Sequence, residues 1–572
     1  MTHTKLNSFL NSLSGITIIL LIALFYTICY YFAYNFFFED DFHLLRYVTL
    51  TQESSLPISE KLQALWNLHN EHRIVFPRLI VLIDYYIQGH IDWKLLNTVA
   101  ALYYFGIFVF FFKIIKKINL PLWYAVPVAF FIFQPSSQQN FYWTISILQQ
   151  VGNIFWSMLL FYSIVYFPPK YFWTSIIFAL ILTFTHGNGL FALGVVGLLL
   201  FIQKRYKELI IWCLLILLIA VAYFWGYYTA QNSNILGSLS KPLQLIGCFG
   251  GFWGSFIREF FKSNLGVLVA ISAGLIIFSL LLFLNIIFLW SIFFKKKMAD
   301  ISATISKEKL FILAVFAFFT ITSGLVALSR SWSSIEAGFQ NRYLHNSVIT
   351  LMLLYLSILV IKSKSLTKFT GLTFLVLSIF YSIFSWYTKL EVLSFQKDIQ
   401  EADAINYQLN GISLVNDKSF NANISDILKQ SFDDGVSIFP ESSLTTAVKN
   451  LDSLTSQKAE NITIKIQQDS SETFSIAGSN YRRIYHLQNL TFPLNGNVFL
   501  VFKSDKNIFV WATTHLKNSK KSLLKTGQYF NNGFYTTIMT DAMPHSDYTI
   551  GILQKNNNHF IYYPTKYKIQ NH

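Results

Sequence analysis

The chain has 572 residues, of which 53% are hydrophobic and only 13% are charged. That is about half the charged fraction of an ordinary soluble protein. Residues 389–572 hold 18 Lys and Arg against 16 Asp and Glu, so nearly all of the net charge of +15 belongs to the preceding, apolar part of the chain. Basic residues beside apolar runs are typical of cytoplasmic loops, so the expected partner is the lipid bilayer and not a nucleic acid.

Apolar runs follow one another through the first two thirds of the chain, each about long enough to cross a hydrocarbon core as a helix. The first run is too long for the apolar region of a signal peptide and is interpreted as a retained helix. About eleven spans are predicted, near residues 15–37, 95–115, 121–134, 147–167, 171–185, 188–203, 209–227, 265–294, 310–328, 344–361 and 369–387.

The charges between these spans give an orientation. With the N-terminus in the cytoplasm, the basic loops at 113–117, 204–207, 295–297 and 362–368 all fall on the cytoplasmic side. This distribution agrees with the excess of Lys and Arg in cytoplasmic loops of membrane proteins. An odd number of spans then places residues 390–572 outside.

Two regions outside the spans have their own patterns. The external first loop, 38–94, is predicted to carry amphipathic helices in the membrane interface at 62–66 and 74–87, and 228–264 is similar. In the tail, 391–435 is patterned as helix. From 460 to 570, short alternating segments separated by turns such as Asn531-Asn532-Gly533 indicate strands. The predicted fold class is a polytopic α-helical membrane protein, 1–389, with a C-terminal β-rich, sandwich-like extracytoplasmic domain, 390–572.

The first candidate site is the acidic triplet Glu39-Asp40-Asp41, predicted to follow the C-terminus of the first helix directly. Negative charge is unfavourable at that end of a helix, and the three carboxylates also repel one another. A substrate cation, an arginine, a metal or a raised pKa suited to a general base would offset the cost. A solvated helix terminus is the alternative interpretation.

The second candidate is the string from His69 to Arg73, followed by Arg78. On a helix, His69 and His72 would share one face, and His-x-x-His beside acids can bind a divalent metal. The planar guanidinium of Arg73 suits a phosphate. Contact with lipid headgroups would explain Arg73 and Arg78 equally well.

Further polar residues fall in other loops that the orientation places outside. The Gly-Asn-Gly turn at 187–189 opens a helix, where free N–H groups favour an anion, although capping would serve as well. A pair between Arg258 and Glu259 would explain those two residues without a function. An arginine where a loop enters a helix, as at position 342, tends to be functional. The candidates in these loops are Asn140, His186, Asn188, Arg258, Arg342 and Tyr343.

This ordered set of motifs resembles a known superfamily. A first helix followed by Glu39-Asp40-Asp41 in an external loop, then interfacial helices and many spans, resembles the GT-C superfamily of membrane glycosyltransferases. The string 70–78, with 140–143, 187–189 and 342–343, is similar to a bacterial branch of enzymes that modify O-antigen. The resemblance covers roughly residues 10–390.

The resemblance implies an enzyme of the bacterial inner membrane, expected to be an inverting hexosyl- or pentosyltransferase. The donor would be a sugar on polyprenyl phosphate, such as undecaprenyl phosphate. The acceptor would be a hydroxyl of an extracytoplasmic glycan or glycolipid such as O-antigen or lipopolysaccharide. No cofactor is required, since the donor is a monophosphate, and a divalent metal is possible but not predicted.

The resemblance also assigns roles to residues. The base on the acceptor hydroxyl would be Asp41 or Asp40, with Asp41 favoured. Arg73, His72 and Arg342 are candidates for the donor phosphate, where negative charge builds as the sugar leaves. The other expected substrate-binding residues are Glu39, His69, Glu71, Asn140, His186, Asn188, Arg258 and Tyr343.

Three other classes of protein compete with this interpretation. A transporter or flippase would be expected to carry ionisable residues near mid-membrane and internal repeats, neither of which is visible. An O-antigen polymerase or ligase would carry its large external loop between late helices. A scaffold that only presents the tail leaves the acidic triplet and the 69–73 string unexplained.

Overall fold

The structure, a computed structural model, describes residues 3–228, 233–261, 263–293, 306–361, 363–416, 418–454, 462–469, 484–492, 496–556 and 559–571. The basic segment 295–297 and position 362 lie outside these residues. The α-helices are α1 (His3–Phe32), α2 (Phe42–Gln52), α3 (Ile58–Trp66), α4 (Val75–Gln88), α5 (Trp93–Ala100), α6 (Leu102–Lys117), α7 (Val126–Ile132), α8 (Thr144–Ser146), α9 (Gly152–Tyr166), α10 (Phe172–Thr183), α11 (Gly189–Ile202), α12 (Tyr206–Phe224), α13 (Ile235–Leu239), α14 (Pro242–Arg258), α15 (Asn264–Phe293), α16 (Lys307–Arg330), α17 (Leu344–Val360), α18 (Lys364–Asn410), α19 (Lys418–Asp433), α20 (Ser443–Lys449) and α21 (Lys520–Thr526).

The strands are fewer and, apart from one short hairpin, lie in the last quarter of the described chain. They are β1 (Leu68–His69), β2 (His72–Arg73), β3 (Lys465–Asp469), β4 (Ile484–Asn489), β5 (Asn497–Lys503), β6 (Ile508–Ala512), β7 (Thr514–Lys517), β8 (Phe530–Met539), β9 (Ser546–Asn556) and β10 (His559–Asn571).

Eight helical segments among the described residues are long and apolar enough to cross a membrane. They are Ser8–Phe32, Trp93–Lys117, Thr144–Tyr166, Tyr206–Phe224, Asn264–Ile292, Lys307–Arg330, Asn341–Val360 and Lys364–Asn410. Three further predicted spans coincide with shorter apolar helices, Leu122–Ile132, Pro169–Thr183 and Gly189–Ile202. The protein is therefore membrane-embedded, and the count of eleven spans stays a prediction.

The chain divides into two compact units. The first comprises Met1–Tyr31, Leu56–Ile80 and Asn97–Tyr387. The second comprises Phe32–Ser55, Val81–Leu96 and Thr388–His572. The predicted first loop, 38–94, is thus shared between them: the 69–73 string belongs to the first unit and the acidic triplet to the second.

Within the first unit, helices α9 and α17 form the interior. In their most apolar stretches 78% and 83% of the residues are buried, against 17% in α12. Helix α12 instead presents exposed apolar side chains such as Leu214 and Leu218 outward, as a helix in contact with lipid does.

Helices α14 and α15 pack with their backbones in close contact. A Cβ placed on Gly254 would lie 1.8 Å from the carbonyl oxygen of Ala270, and one on Gly274 would lie 2.0 Å from that of Gly250. Only glycine fits at such distances, and small residues are the usual means of bringing membrane helices together. These glycines therefore hold α14 firmly against α15.

The second unit contains two four-stranded antiparallel sheets, ordered β10-β9-β5-β6 and β3-β4-β8-β7. Leu487 and Phe534 from one sheet and Phe502 and Ile550 from the other belong to a single hydrophobic core. The opposite face of the first sheet packs on α20 and the end of α18, where Val501 and Leu553 join Val448 in a second core. Strand β5 therefore has both faces covered, and its five central residues are all buried.

One detail of the tail differs from the sequence-based expectation. The helical segment 391–435 is found as the end of α18 and as α19, whereas the turn predicted at Asn531-Asn532-Gly533 is wrong, because these residues lie inside β8. The pairing of β8 with β7 shifts its register between His515 and Lys517, the latter opposite Phe530. Turn-forming residues therefore mark an irregularity within the strand and not its end.

Candidate functional site

The 69–73 string forms a β-hairpin, not the helical turn that would put His69 and His72 on one face. Strands β1 and β2 pair antiparallel, with His69 opposite His72 and Leu68 opposite Arg73. Asn70 takes the left-handed conformation (φ 51°) in the two-residue turn, as asparagine does readily. The turn leaves Glu71 at the tip beside Asn70.

Arg73 holds this hairpin in place. Its guanidinium donates to the carbonyl oxygens of Trp66 (2.5 Å), Tyr223 (2.5 Å) and Trp225, and it lies 5.0 Å from the Trp66 ring. Only 2% of Arg73 is exposed. The expectation that Arg73 binds a donor phosphate is therefore corrected, because its side chain is engaged by backbone carbonyls. Arg78 has the same character, donating to the carbonyls of Leu65 and Asn67.

A cavity of about 360 Å³ opens beside the hairpin, within the first unit. Its polar wall is defined as Glu71, His72, Gln150, Asn153, His186, Asn188, Arg330 and Asn346, with the hydroxyls of Tyr223, Tyr227, Thr322 and Tyr343. The rest of the lining is largely apolar and comes from α11, α12, α13, α14 and α16, with residues such as Phe191, Phe224, Phe252, Phe318 and Leu325. The cavity is thus amphipathic.

Two histidine rings lie close together, at a tilt of 34°, within the polar wall. The rings of His72 and His186 lie 4.0 Å apart, centre to centre. Burial, together with the nearby His69, Arg330 and Arg342, lowers the pKa of His72 to about 3. Burial, followed by the effect of His72, lowers the pKa of His186 well below its usual range. Both rings are therefore neutral near pH 7.

Glycine at position 187 permits this close arrangement. A Cβ on Gly187 would lie 2.9 Å from Nδ1 of His72 and 2.8 Å from the hydroxyl oxygen of Tyr223. The next residue, Asn188, donates its backbone N–H to Nδ1 of His186 (3.2 Å). Asn188 precedes α11 without a side-chain capping bond, so the alternative interpretation of the turn as a side-chain cap is wrong, and its backbone N–H instead orients a histidine.

A salt bridge joins α16 to Glu71 at the tip of the hairpin, within the polar wall. Arg330, the last residue of α16, contacts Oε1 of Glu71 at 2.7 Å. The backbone carbonyl of Glu71 also accepts hydrogen bonds from the hydroxyls of Tyr223 (3.2 Å) and Tyr227 (3.5 Å). Among the residues lining the cavity, Arg330 is the one lysine or arginine.

A π-helical turn, Ile147–Val151, lies between α8 and α9 and passes the cavity. Such turns contain one residue more than the α-helical repeat and recur at functional sites. Gln150 comes from this turn, and its amide lies 3.5 Å from Nε2 of His186. Asn153 follows one α-helical turn later and also lines the cavity.

The turns near residues 140 and 342 are joined by hydrogen bonds. The backbone N–H of Arg342 donates to the Gln139 side chain (3.0 Å). The Arg342 guanidinium lies 5.5 Å from the ring of Trp143 and 5.4 Å from that of Tyr343, and its Nε has no hydrogen-bond partner among the described residues. Tyr343 lines the cavity, whereas Arg342 does not.

Three other predicted residues lie outside the cavity lining. Asn140 is 1% exposed, and its side chain bonds Tyr104, Ser146 and His345. His69 is buried in the hairpin and lies 3.3 Å from the side chain of Asn70. Arg258 lies 3.9 Å from the carboxylate of Glu336.

The acidic triplet has a different helical context from the predicted one. Helix α1 ends at Phe32, and Glu39–Asp41 form a 3₁₀ turn that leads into α2. The carboxylates therefore precede a helix N-terminus, where negative charge is favourable, so the expected cost of a helix C-terminus does not arise, whereas their mutual repulsion remains. Asp41 is 1% exposed and accepts the backbone N–H of Phe38 (3.3 Å).

The other two members of the triplet are more accessible. Asp40 is half-buried and Glu39 is exposed, with a left-handed φ of 45°. Such a conformation is uncommon for a residue other than glycine and is found disproportionately at functional sites. The triplet belongs to the second unit and the cavity to the first.

Sequence reasoning missed Arg330, Gln150 and Asn153. Arg330 could have been noticed as a lone arginine at the end of an apolar span, a position that tends to be functional. The two amides lie inside a predicted span, where a polar residue is likewise a signal. Among the described residues, no three His, Cys, Asp or Glu side chains lie close enough together to hold a metal ion.

Comparison with known proteins finds no matching family model, no similar curated protein and no similar solved structure.

Proposed function

We propose that the protein is a membrane glycosyltransferase of the GT-C type that takes its sugar from a polyprenyl-phosphate donor bound in the amphipathic cavity. The observation that supports this most is the composition of the cavity wall. A lipid-linked sugar has an apolar chain and a polar head, and the cavity offers aromatic and aliphatic side chains for one and a charged, hydrogen-bonding wall for the other.

Arg330 is the proposed ligand of the donor phosphate in place of Arg73. Its guanidinium lines the cavity and is 31% exposed. Arginine binds phosphate through charge-assisted, often paired hydrogen bonds. The neutral histidines then add hydrogen-bonding capacity without further positive charge, which suits a donor with a single phosphate.

The base on the acceptor hydroxyl is proposed to be Asp40, with Asp41 in a supporting role. The motif resemblance allows either residue, and the sequence-based prediction favours Asp41. A base must reach the hydroxyl that it deprotonates. Asp40 is half-buried and therefore accessible, whereas Asp41 is 1% exposed and bonded to the Phe38 backbone.

The proposal also includes the membrane orientation and the cellular location of the protein. We place the N-terminus in the cytoplasm of a bacterium and the β-rich unit outside the inner membrane, because this puts the basic loops on the cytoplasmic side. Reporter fusions after Lys117, Lys207 and Lys364 are expected to read cytoplasmic, and fusions after residue 400 external. A cytoplasmic tail would remove the acceptor from the proposed side.

The experiment is turnover of a polyprenyl-phosphate sugar by the full chain in lipid nanodiscs. Arg330→Ala is expected to lower kcat/KM about tenfold to a hundredfold, since a hydrogen bond to a charged group contributes about 1.5–3 kcal/mol. Arg330→Lys, which keeps the charge and loses the fork, should retain an intermediate rate.

The matched control is Arg205→Ala. Arg205 also pairs with a glutamate, Glu208, at 3.2 Å, and it does not line the cavity. Wild-type turnover in Arg330→Ala, or equal losses in Arg330→Ala and Arg205→Ala, would refute the assignment. No turnover of any polyprenyl-phosphate sugar by the wild-type protein would refute the proposed function itself.

A flippase for lipid-linked glycans is the second candidate, because an amphipathic cavity among membrane helices also suits a lipid cargo. The two functions differ in whether free polyprenyl phosphate is formed. A glycosyltransferase releases free polyprenyl phosphate only when an acceptor is added, whereas a flippase changes the leaflet of an intact donor. Assaying both in liposomes distinguishes them.

A further inference from the structure

Four residues that line the cavity each have a buried polar side-chain atom without a hydrogen-bond partner among the described residues. The atoms are Oε2 of Glu71, Nδ1 of His72, Oδ1 of Asn153 and Oγ1 of Thr322. Buried polar atoms in folded proteins are nearly always bonded, and each one left unpaired is costly. Four such residues around one cavity therefore offer a ligand hydrogen-bonding atoms that the described residues leave without a protein partner.

The chemistry of these atoms restricts what that ligand offers. An ionised carboxylate oxygen only accepts hydrogen bonds, and the oxygens of a phosphodiester also only accept. A phosphate therefore cannot be the partner of Glu71, whereas a hydroxyl can. The threonine hydroxyl, the neutral imidazole and the amide each pair readily with a group that both donates and accepts, as a hydroxyl does.

We propose that Glu71 binds a hydroxyl of the sugar carried by the lipid, with Arg330 holding the carboxylate in position. This inference rests on the proposed function and adds the residue that recognises the sugar. Glu71 is fixed in two ways: Arg330 contacts Oε1, and two tyrosine hydroxyls bond its backbone carbonyl, so Oε2 is the oxygen left for the ligand.

The position of Glu71 makes the site rigid before a ligand binds. It lies at the tip of a hairpin that Arg73 anchors through three backbone carbonyls. A carboxylate held in this way loses little freedom when it accepts a hydroxyl, and such preorganisation favours affinity. Carboxylate hydrogen bonds to hydroxyls are short and directional, so Glu71 would also select the configuration of the sugar carbon that bears the hydroxyl.

The test compares three probes with the full chain in nanodiscs. They are a polyprenyl-phosphate sugar, the same polyprenyl phosphate without sugar, and a long-chain alkyl glycoside without phosphate. Glu71→Gln keeps the shape but replaces one acceptor oxygen by an N–H donor. We expect it to weaken binding of both sugar-bearing probes about tenfold or more and to change binding of the bare polyprenyl phosphate by less than about twofold.

Two further variants keep the result interpretable. Glu208→Gln breaks the Arg205–Glu208 pair outside the cavity and should bind all three probes as the wild-type protein does. Asn153→Ala removes another unpartnered atom without touching the salt bridge, and should weaken the sugar-bearing probes alone. If Glu71→Gln fails to fold, Asn153→Ala remains as the test of sugar recognition in the cavity.

The outcomes separate this inference from the proposed function. Weakening of the two phosphate-bearing probes alone by Glu71→Gln would mean that Glu71 acts on the phosphate through Arg330, and equal weakening of all three would mean that the substitution damages the cavity as a whole. Either result would overturn the inference. Unchanged binding of the sugar-bearing probes would overturn it as well. Binding of the alkyl glycoside that depends on Glu71, without binding of either polyprenyl phosphate, would support the inference and overturn the proposed donor.

Discussion

Replacing Arg73 is expected to unfold the hairpin and not to remove a substrate contact. Its guanidinium donates to the carbonyls of Trp66, Tyr223 and Trp225, and it is 2% exposed. A hydrogen bond to a charged group contributes about 1.5–3 kcal/mol, and three such losses at one site are less than additive. We therefore expect Arg73→Ala to lower the free energy of unfolding by about 4 kcal/mol. Arg73→Lys should recover less than half of that, because an ammonium lacks the fork that reaches three carbonyls.

The assay is the melting temperature of the purified variants in nanodiscs, with donor binding measured on the fraction that remains folded. Arg46→Ala, at an exposed arginine, is the control and should melt with the wild-type protein. Folded Arg73→Lys should bind a polyprenyl-phosphate sugar with nearly wild-type affinity. A variant at Arg73 that melts with the wild-type protein and loses donor binding would show that Arg73 is a phosphate ligand after all.

Three further predictions concern the triplet, the glycine and the histidines. Asp40→Asn should abolish transfer while Asp41→Asn mainly lowers stability; a transfer rate lost only in Asp41→Asn would reverse these roles. Gly187→Ala should reduce turnover at least tenfold by crowding His72, whereas Gly194→Ala, where a Cβ meets nothing within 4 Å, should be neutral or slightly stabilising. Because the pKa of His72 falls from 6.5 to about 3 on folding, the unfolded chain binds more protons between these values, so stability should fall as the pH drops from about 6.5 toward 3. His72→Gln should flatten the slope of melting temperature against pH. An unchanged slope would contradict the lowered pKa of His72 as its cause.

The apolar runs predicted most of the helical part because length and hydrophobicity together define a membrane helix, whatever it packs against. Strands β4 and β7 were not predicted. The first has a weak alternation and the second is only four residues long. The continuation of α18 to Asn410 was also missed, since a polar amphipathic helix that continues an apolar one gives no boundary signal.

The site was harder to predict than the spans. Sequence reasoning named Glu71 and His72 but set them on a helix, although asparagine at position 70 favours the left-handed turn of a two-residue hairpin. It also treated Arg73 as a ligand, because a sequence does not reveal whether a guanidinium faces a cavity or backbone carbonyls. Arg330 meets Glu71 across 259 residues, a pairing that only the packed helices determine.

The arrangement of the polar wall depends on the number of residues in the π-helical turn at Ile147–Val151. Removing any one residue there would restore the regular α-helical repeat and rotate everything before it by about 100° relative to α9. The turn at Gln139 that bonds Asn341 and Arg342 would then no longer face its partners while Asn153 kept its place. In a related chain, the deletion of one residue at this point would therefore predict a different ligand preference, even where every residue that lines the cavity is retained.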